Sequence, residues 1–227
     1  MTQGTAAARR RIQARCARWM LACLLALPVL AQAQSASPAV AAGGDAKTIL
    51  VMGDSLSAGY GMSAGEGWVA LLQQRLQRDA PGWRVVNASI SGETSAGGAS
   101  RIAEAVVREQ PAVVIIALGA NDGLRGLPLA DARRNLARMI GASQHVGAQV
   151  LLVGMRMPPN LGADYTRGFE DNYRLLAKTF DVALLPFLLE PIATDRAYFQ
   201  NDNLHPTAAV QSKLLDHVWP ALRPLLD

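Results

Sequence analysis

The chain has 227 residues, of which 50% are hydrophobic and 18% charged, enough for one substantial core and too polar for a membrane bundle. A formal charge of +4 suggests nucleic acid, but the surplus comes from Arg9, Arg10, Arg11, Arg15 and Arg18, in a stretch without Asp or Glu. Without residues 1–33, 17 basic residues face 18 acidic ones, and the electrostatic case for binding phosphate backbones disappears.

Those first 33 residues have the three-part layout of a secretory signal. A basic region ends at Arg18, an uncharged stretch follows over 19–30, and Ala31-Gln32-Ala33 is a small-x-small cleavage site. The uncharged stretch is shorter than the roughly 20 apolar residues a membrane span needs, so no stable membrane insertion is expected. A lipoprotein signal at Cys23 would leave only four residues between Arg18 and the acylated cysteine. Cleavage after Ala33 predicts a periplasmic or secreted protein. It also removes both cysteines, Cys16 and Cys23, leaving no disulfide and no Cys-ligated metal. Residues 34–46, small and polar without periodicity, read as a flexible leader, and the folded domain is expected over 47–227.

From Lys47 onward, short apolar runs alternate with helical stripes. Residues 48–52, 83–86, 112–118, 149–153 and 182–185 read as strands buried on both faces. Between them, Trp68, Leu71, Leu72 and Leu76 form one helical stripe, and Ile102, Ala105 and Val106 another. Residues 129–140 and 173–180 give two more. The tail over 207–226 carries Val210, Leu214, Leu215, Val218 and Leu222 on one face. Such alternation predicts an α/β fold, a three-layer α/β/α sandwich around a five-stranded parallel sheet.

In sheets of this kind, ligands bind beyond the carboxyl ends of the strands. There the sequence places GDSLS with Ser55, SGET with Gly92 and GAND with Asn121; DNLHP, with Asp202 and His205, precedes the last helix. These types suit acyl transfer. A serine hydroxyl needs a base, His is the base suited to neutral pH, and a carboxylate can fix the imidazole tautomer. Pro206 biases His205 away from helix, so the ring can project across the sheet end.

Taken together, the four blocks, in order, resemble the SGNH (GDSL) hydrolase superfamily over roughly 48–218. The longer strings VVNASISGETS, GANDGLRG and LLPF resemble its exported bacterial thioesterases, lysophospholipases and arylesterases. The resemblance implies a catalytic triad of Ser55, Asp202 and His205. It implies an oxyanion hole from the backbone N–H groups of Ser55 and Gly92 and the side-chain amide of Asn121. It further implies an acyl-serine intermediate, a small-molecule acyl ester or thioester as substrate, no cofactor and no metal. The loops over 123–128 and 155–165 become candidate acyl walls through Leu124, Leu127, Met157, Pro158 and Pro159. Nothing in the sequence demands more than a monomer.

Competing patterns fit less well. Gly61-Met62-Ser63-Ala64-Gly65 matches the G-x-S-x-G elbow, but that elbow must directly follow a buried strand, and the strand ends by Gly53. The same distance argues against a dinucleotide loop over 59–64. Asn87-Ala88-Ser89 matches a glycosylation acceptor, yet its place beside an apolar strand favours a polar network at the strand end. His145 and His217 lie on predicted helices and read as structural or solvated. Two other functions fit the same apparatus or fold: carbohydrate O-acetyl ester hydrolysis and non-catalytic periplasmic binding. Twelve aromatic residues offer little for sugar stacking, and no member of the apparatus is missing.

Overall fold

The computed structural model describes residues 46–227; the signal expected at 1–33 and all but the last residue of the leader lie outside them. Five strands form one parallel sheet: β1 (Lys47–Gly53), β2 (Trp83–Asn87), β3 (Val113–Ala117), β4 (Gln149–Val153) and β5 (Ala183–Leu185). Their spatial order is β2-β1-β3-β4-β5. The predicted sheet is therefore present, with every strand in its expected place.

Successive residues of each strand enter opposite layers, the period of two that a strand imposes. Ile49, Val51, Val113, Ile115, Leu151 and Val153 face one layer, where they meet α2 (Trp68–Asp79) and α7 (Gln211–Leu222). Leu50, Met52, Val114, Ile116, Val150 and Leu152 face the other, against α3 (Ser95–Glu109), α5 (Leu129–His145) and α6 (Ala163–Phe180). Residues 49–52 and 113–116 are fully buried, which explains why these strands read as unbroken apolar runs.

Element ends differ from expectation for local reasons. The third strand stops before Leu118, whose carbonyl accepts a hydrogen bond from the Tyr173 hydroxyl at 2.9 Å. Helix α6 begins well before its predicted apolar stripe, because its first turns are largely solvent-facing and bring only Phe169 and the half-buried Tyr165 against the core. Two short helices were not foreseen: α1 (Ser55–Ala58) and α4 (Ala120–Leu124), each starting at the carboxyl end of a central strand.

The strand order reverses between β1 and β3. At that switch point the connections depart to opposite faces and leave a crevice beyond the strand ends. The register pairs Gly53 with Ala117, so both strands end level and α1 and α4 start side by side.

Leu72 is fully buried between the sheet and α7. Leu72→Ala is expected to cost about 2–5 kcal/mol through lost burial and a residual cavity. Urea unfolding should show this as a lower midpoint with an unchanged slope.

Candidate active site

Ser55 opens α1, immediately after β1. Asp54 caps that helix, its carboxylate accepting the Leu56 N–H at 3.0 Å, and Gly59 ends it in a left-handed conformation. Gly53 sets how close α1 can lie to the strand. A Cβ there would come within 2.7 Å of Ser57 Cβ and 2.8 Å of Ser89 Oγ.

The chain delivers His205 to the same place from the far end of the fold. His205 Nε2 lies 2.8 Å from Ser55 Oγ, and Nδ1 lies 2.7 Å from Asp202 Oδ2. Asp202 Oδ1 accepts the backbone N–H groups of Leu204 and His205 at 2.9 and 3.0 Å. This compact turn, with Asn203 left-handed at φ 62°, fixes the carboxylate against the ring. The His205 and Leu204 N–H groups, with the imidazole, hold the Asp202 carboxyl down at about 2. It is ionised throughout the range in which His titrates.

Ser55, Gly92 and Asn121, each with a hydrogen-bond donor, line one cleft. As the first residue of α1, Ser55 has an N–H with no acceptor inside the helix. Neither its N–H nor that of Gly92 has an acceptor among the described residues. Gly92 adopts φ 79°, a conformation disfavoured for residues with a Cβ, and its carbonyl accepts from Arg125 at 3.1 Å. Asn121 Nδ2 donates to the Glu93 carbonyl at 3.0 Å, which fixes the amide plane, and lies 3.5 Å from Asp54 Oδ2.

Buried groups hold that amide from behind. Gly119 caps α4 at φ 119°, where any Cβ would meet the Tyr173 hydroxyl at 2.2 Å. Asp122, also buried, accepts both the Ser95 N–H at 2.7 Å and the Ser95 hydroxyl at 2.5 Å, locking α4 to the start of α3. Asn121, Asp122 and Gly123 thus lie within the short helix α4.

An apolar cleft of about 770 Å³ opens from this cluster, within the usual range for small-molecule sites. Leu124, Met157, Pro158 and Pro159 line it as expected. Leu127 does not: its carbonyl accepts from the Tyr165 hydroxyl at 2.8 Å and its N–H donates to the Asp122 backbone carbonyl at 3.0 Å, which ties its backbone to α6 and α4 instead. The sequence reading missed the wall formed by Phe187 and Leu189, although both follow directly after β5, where the strand-end rule points. It also missed Tyr60, Phe199 and Leu204.

The competing candidates lie elsewhere. Ser63 is an exposed turn residue whose N–H donates to the Glu66 carboxylate at 2.7 Å, and it is not part of the cleft. His145 ends α5, and His217 Nε2 lies 3.0 Å from the Phe187 carbonyl oxygen. Asn87 forms the expected strand-end network, donating to the Ser57 carbonyl at 2.9 Å and accepting from the Ser89 N–H at 3.1 Å.

Comparison with known proteins agrees with the geometry. Residues 51–212 match the model of the GDSL-like lipase/acylhydrolase family. The chain belongs to that family. It is 48% identical over 181 residues to esterase TesA of Pseudomonas aeruginosa, covering 80% of this chain and 90% of that protein. It is 40% identical over 182 residues to thioesterase 1/protease 1/lysophospholipase L1 of Escherichia coli K12, covering 80% and 86%. Among solved structures, the psychrotrophic esterase EstA of Pseudoalteromonas, inhibited by monoethylphosphonate, superposes with a TM-score of 0.76 at 37% identity, covering 79% of this chain and 98% of that one. These GDSL relatives are named as esterases, a thioesterase and a lysophospholipase.

Asp54 sets a stability signature. Burial pushes its carboxyl up to about 6, only partly opposed by the Leu56 N–H. Between pH ~4 and ~6 the unfolded chain loses this proton while the folded chain keeps it, so stability should fall with rising pH, by roughly 3 kcal/mol from this group. Asn caps a helix as well as Asp does, so Asp54→Asn should keep the cap and flatten that slope. Urea unfolding of both proteins across this window checks it.

Proposed function

We propose that the protein is an exported serine hydrolase that cleaves carboxylic esters and thioesters through an acyl-Ser55 intermediate. The observation that carries this reading is the unbroken line from Asp202 Oδ2 through His205 to Ser55 Oγ, with both contacts under 3 Å, at the mouth of an apolar cleft. Export rests on the signal layout of residues 1–33.

In the first half-reaction His205 Nε2 takes the hydroxyl proton as Ser55 Oγ forms a bond to the acyl carbon. The resulting oxyanion receives the N–H groups of Ser55 and Gly92 and the Asn121 amide. Asp202, ionised, holds the ring by Nδ1 and balances the imidazolium charge. His205 then protonates the departing alkoxide or thiolate as the carbon–oxygen or carbon–sulfur bond breaks. In the second half-reaction His205 deprotonates water, which adds to the acyl-enzyme; the acid leaves and Ser55 regains its proton.

The cleft favours acyl chains over sugars. Its walls include Met155, Met157, Pro158, Phe187 and Leu189, which offer apolar contact and little directional hydrogen bonding. A carbohydrate O-acetyl ester would gain less from these walls, where apolar surface outweighs the polar contribution of Ser91, Arg156 and Asn203.

A fluorophosphonate should label Ser55, as mapped by mass spectrometry, and nitrophenyl esters of increasing acyl length should be turned over. Ser55→Ala should lose both label and turnover with an unchanged melting temperature. Asn121→Ala should lower kcat by about 10²–10³. Label at Ser63, or turnover retained by Ser55→Ala, would overturn the assignment.

A further inference from the structure

His205 stands on the segment 200–205, whose carboxylate partner is only three residues away and whose tip is exposed. The Asp202 turn therefore fixes the ring relative to its own loop, not relative to Ser55, which lies 150 residues earlier. Something else must hold the two segments together. The Gly59-Tyr60-Gly61 stretch, which fits neither a nucleophile elbow nor a dinucleotide loop, lies at that junction.

Tyr60 packs against the imidazole in a tilted arrangement, with ring centroids 4.4 Å apart and planes inclined by 39°. Its own ring is half exposed, so it contributes little to the core. The backbone of Tyr60 is held by Gln200, whose Nε2 donates to the Tyr60 carbonyl at 2.9 Å and to the Pro206 carbonyl at 3.1 Å. The Gln200 N–H donates to the His205 carbonyl at 2.8 Å, and Phe199 pairs with Pro206 in an antiparallel bridge. Gly61, at φ 71°, leaves the space this amide occupies; a Cβ there would lie 2.3 Å from Gln200 Oε1.

We infer that Tyr60 and Gln200 are positioning residues for the general base. Tyr60 closes one face of the imidazole, and Gln200 straps the Ser55 segment to the His205 segment. The inference rests on the acyl-serine reading above. An aromatic face beside the ring limits its rotation about χ2 and receives the imidazolium as its charge develops. Phe supplies the same face, so the phenol oxygen is dispensable.

The test compares Tyr60→Ala, Tyr60→Phe, Gln200→Ala and His205→Ala in nitrophenyl ester kinetics and in fluorophosphonate inactivation. Tyr60→Ala and Gln200→Ala should each lower kcat and the maximal inactivation rate about three- to ten-fold, the range expected for losing one aromatic or hydrogen-bonded contact in the transition state. KM, the inhibitor's reversible affinity and the melting temperature should stay near parent values, and Tyr60→Phe should restore the rate. Unchanged kcat in Tyr60→Ala, or an effect confined to KM, would overturn the inference and make Tyr60 only a wall of the cleft. Failure of Phe to restore the rate would overturn it as well. Activity retained by His205→Ala would instead overturn the acyl-serine reading itself, so the two failures are distinguishable.

Discussion

The contact between Ser55 Oγ and His205 Nε2 spans 150 residues of sequence and has to hold to within a few tenths of an ångström. Neither residue can secure it locally. Ser55 is fixed because β1 is buried on both faces and ends level with β3, so the helix that starts there has one available position. His205 is fixed by a short turn, a β-bridge and a helix that packs on the opposite layer from α3. The parallel sheet makes the meeting possible, since every strand delivers its carboxyl end to the same edge. The site is a property of that edge rather than of any one segment.

Two carboxylates near this contact have opposite fates, and environment alone separates them. Asp202 is more than one-third exposed and accepts two backbone N–H groups as well as the imidazole, so its charge is favoured. Asp54, next to Ser55 in sequence, is buried and accepts one backbone N–H, so its charge is opposed. Only Asp202 faces Nδ1. The carboxylate suited to balancing an imidazolium is the one that water and N–H donors keep ionised. Proximity to Ser55 in sequence is no guide to which carboxylate does that work.

Much of this was legible in the sequence because it depends on short-range pattern. The apolar runs over 48–52 and 149–153 read as buried strands, and Gly53, Asn87 and Gly119 marked where they end. The blocks with Ser55, Gly92 and Asn121 were visible as polar and Gly residues following the strands, and the block with His205 as a polar cluster before the last helix. Long-range placement was not legible. Leu127 follows Leu124 by three residues, yet its backbone is tied to Tyr165 and Asp122 and it does not line the cleft. Tyr60 sits in a Gly-rich segment whose use depends on Gln200, far along the chain. Nothing in the spacing of either residue reveals the other. The signal layout is local pattern too, but residues 1–33 lie outside the structure described.

The division of labour between the sheet and its loops bears on how substrate choice is set. The residues that hold Ser55, Asn121 and His205 are buried or tied by backbone hydrogen bonds, including Asp54, Asp122, Tyr173 and the Gly119 turn. The apolar side chains that line the cleft come partly from the same segments and partly from the loops after β4 and β5. Leu124 ends α4, Met157 and Pro158 follow β4, Phe187 and Leu189 follow β5, and Leu204 lies in the His205 turn. Changing the side chain of Leu124, Pro158 or Leu204 alters the volume and shape of the cleft without touching the hydrogen bonds that hold Ser55, Asn121 and His205. Buried wall residues such as Met157 and Leu189 also pack against the core, so changes there would reach stability as well as selectivity. The exposed wall residues can therefore vary at little cost to the fold, whereas the buried ones are constrained by packing.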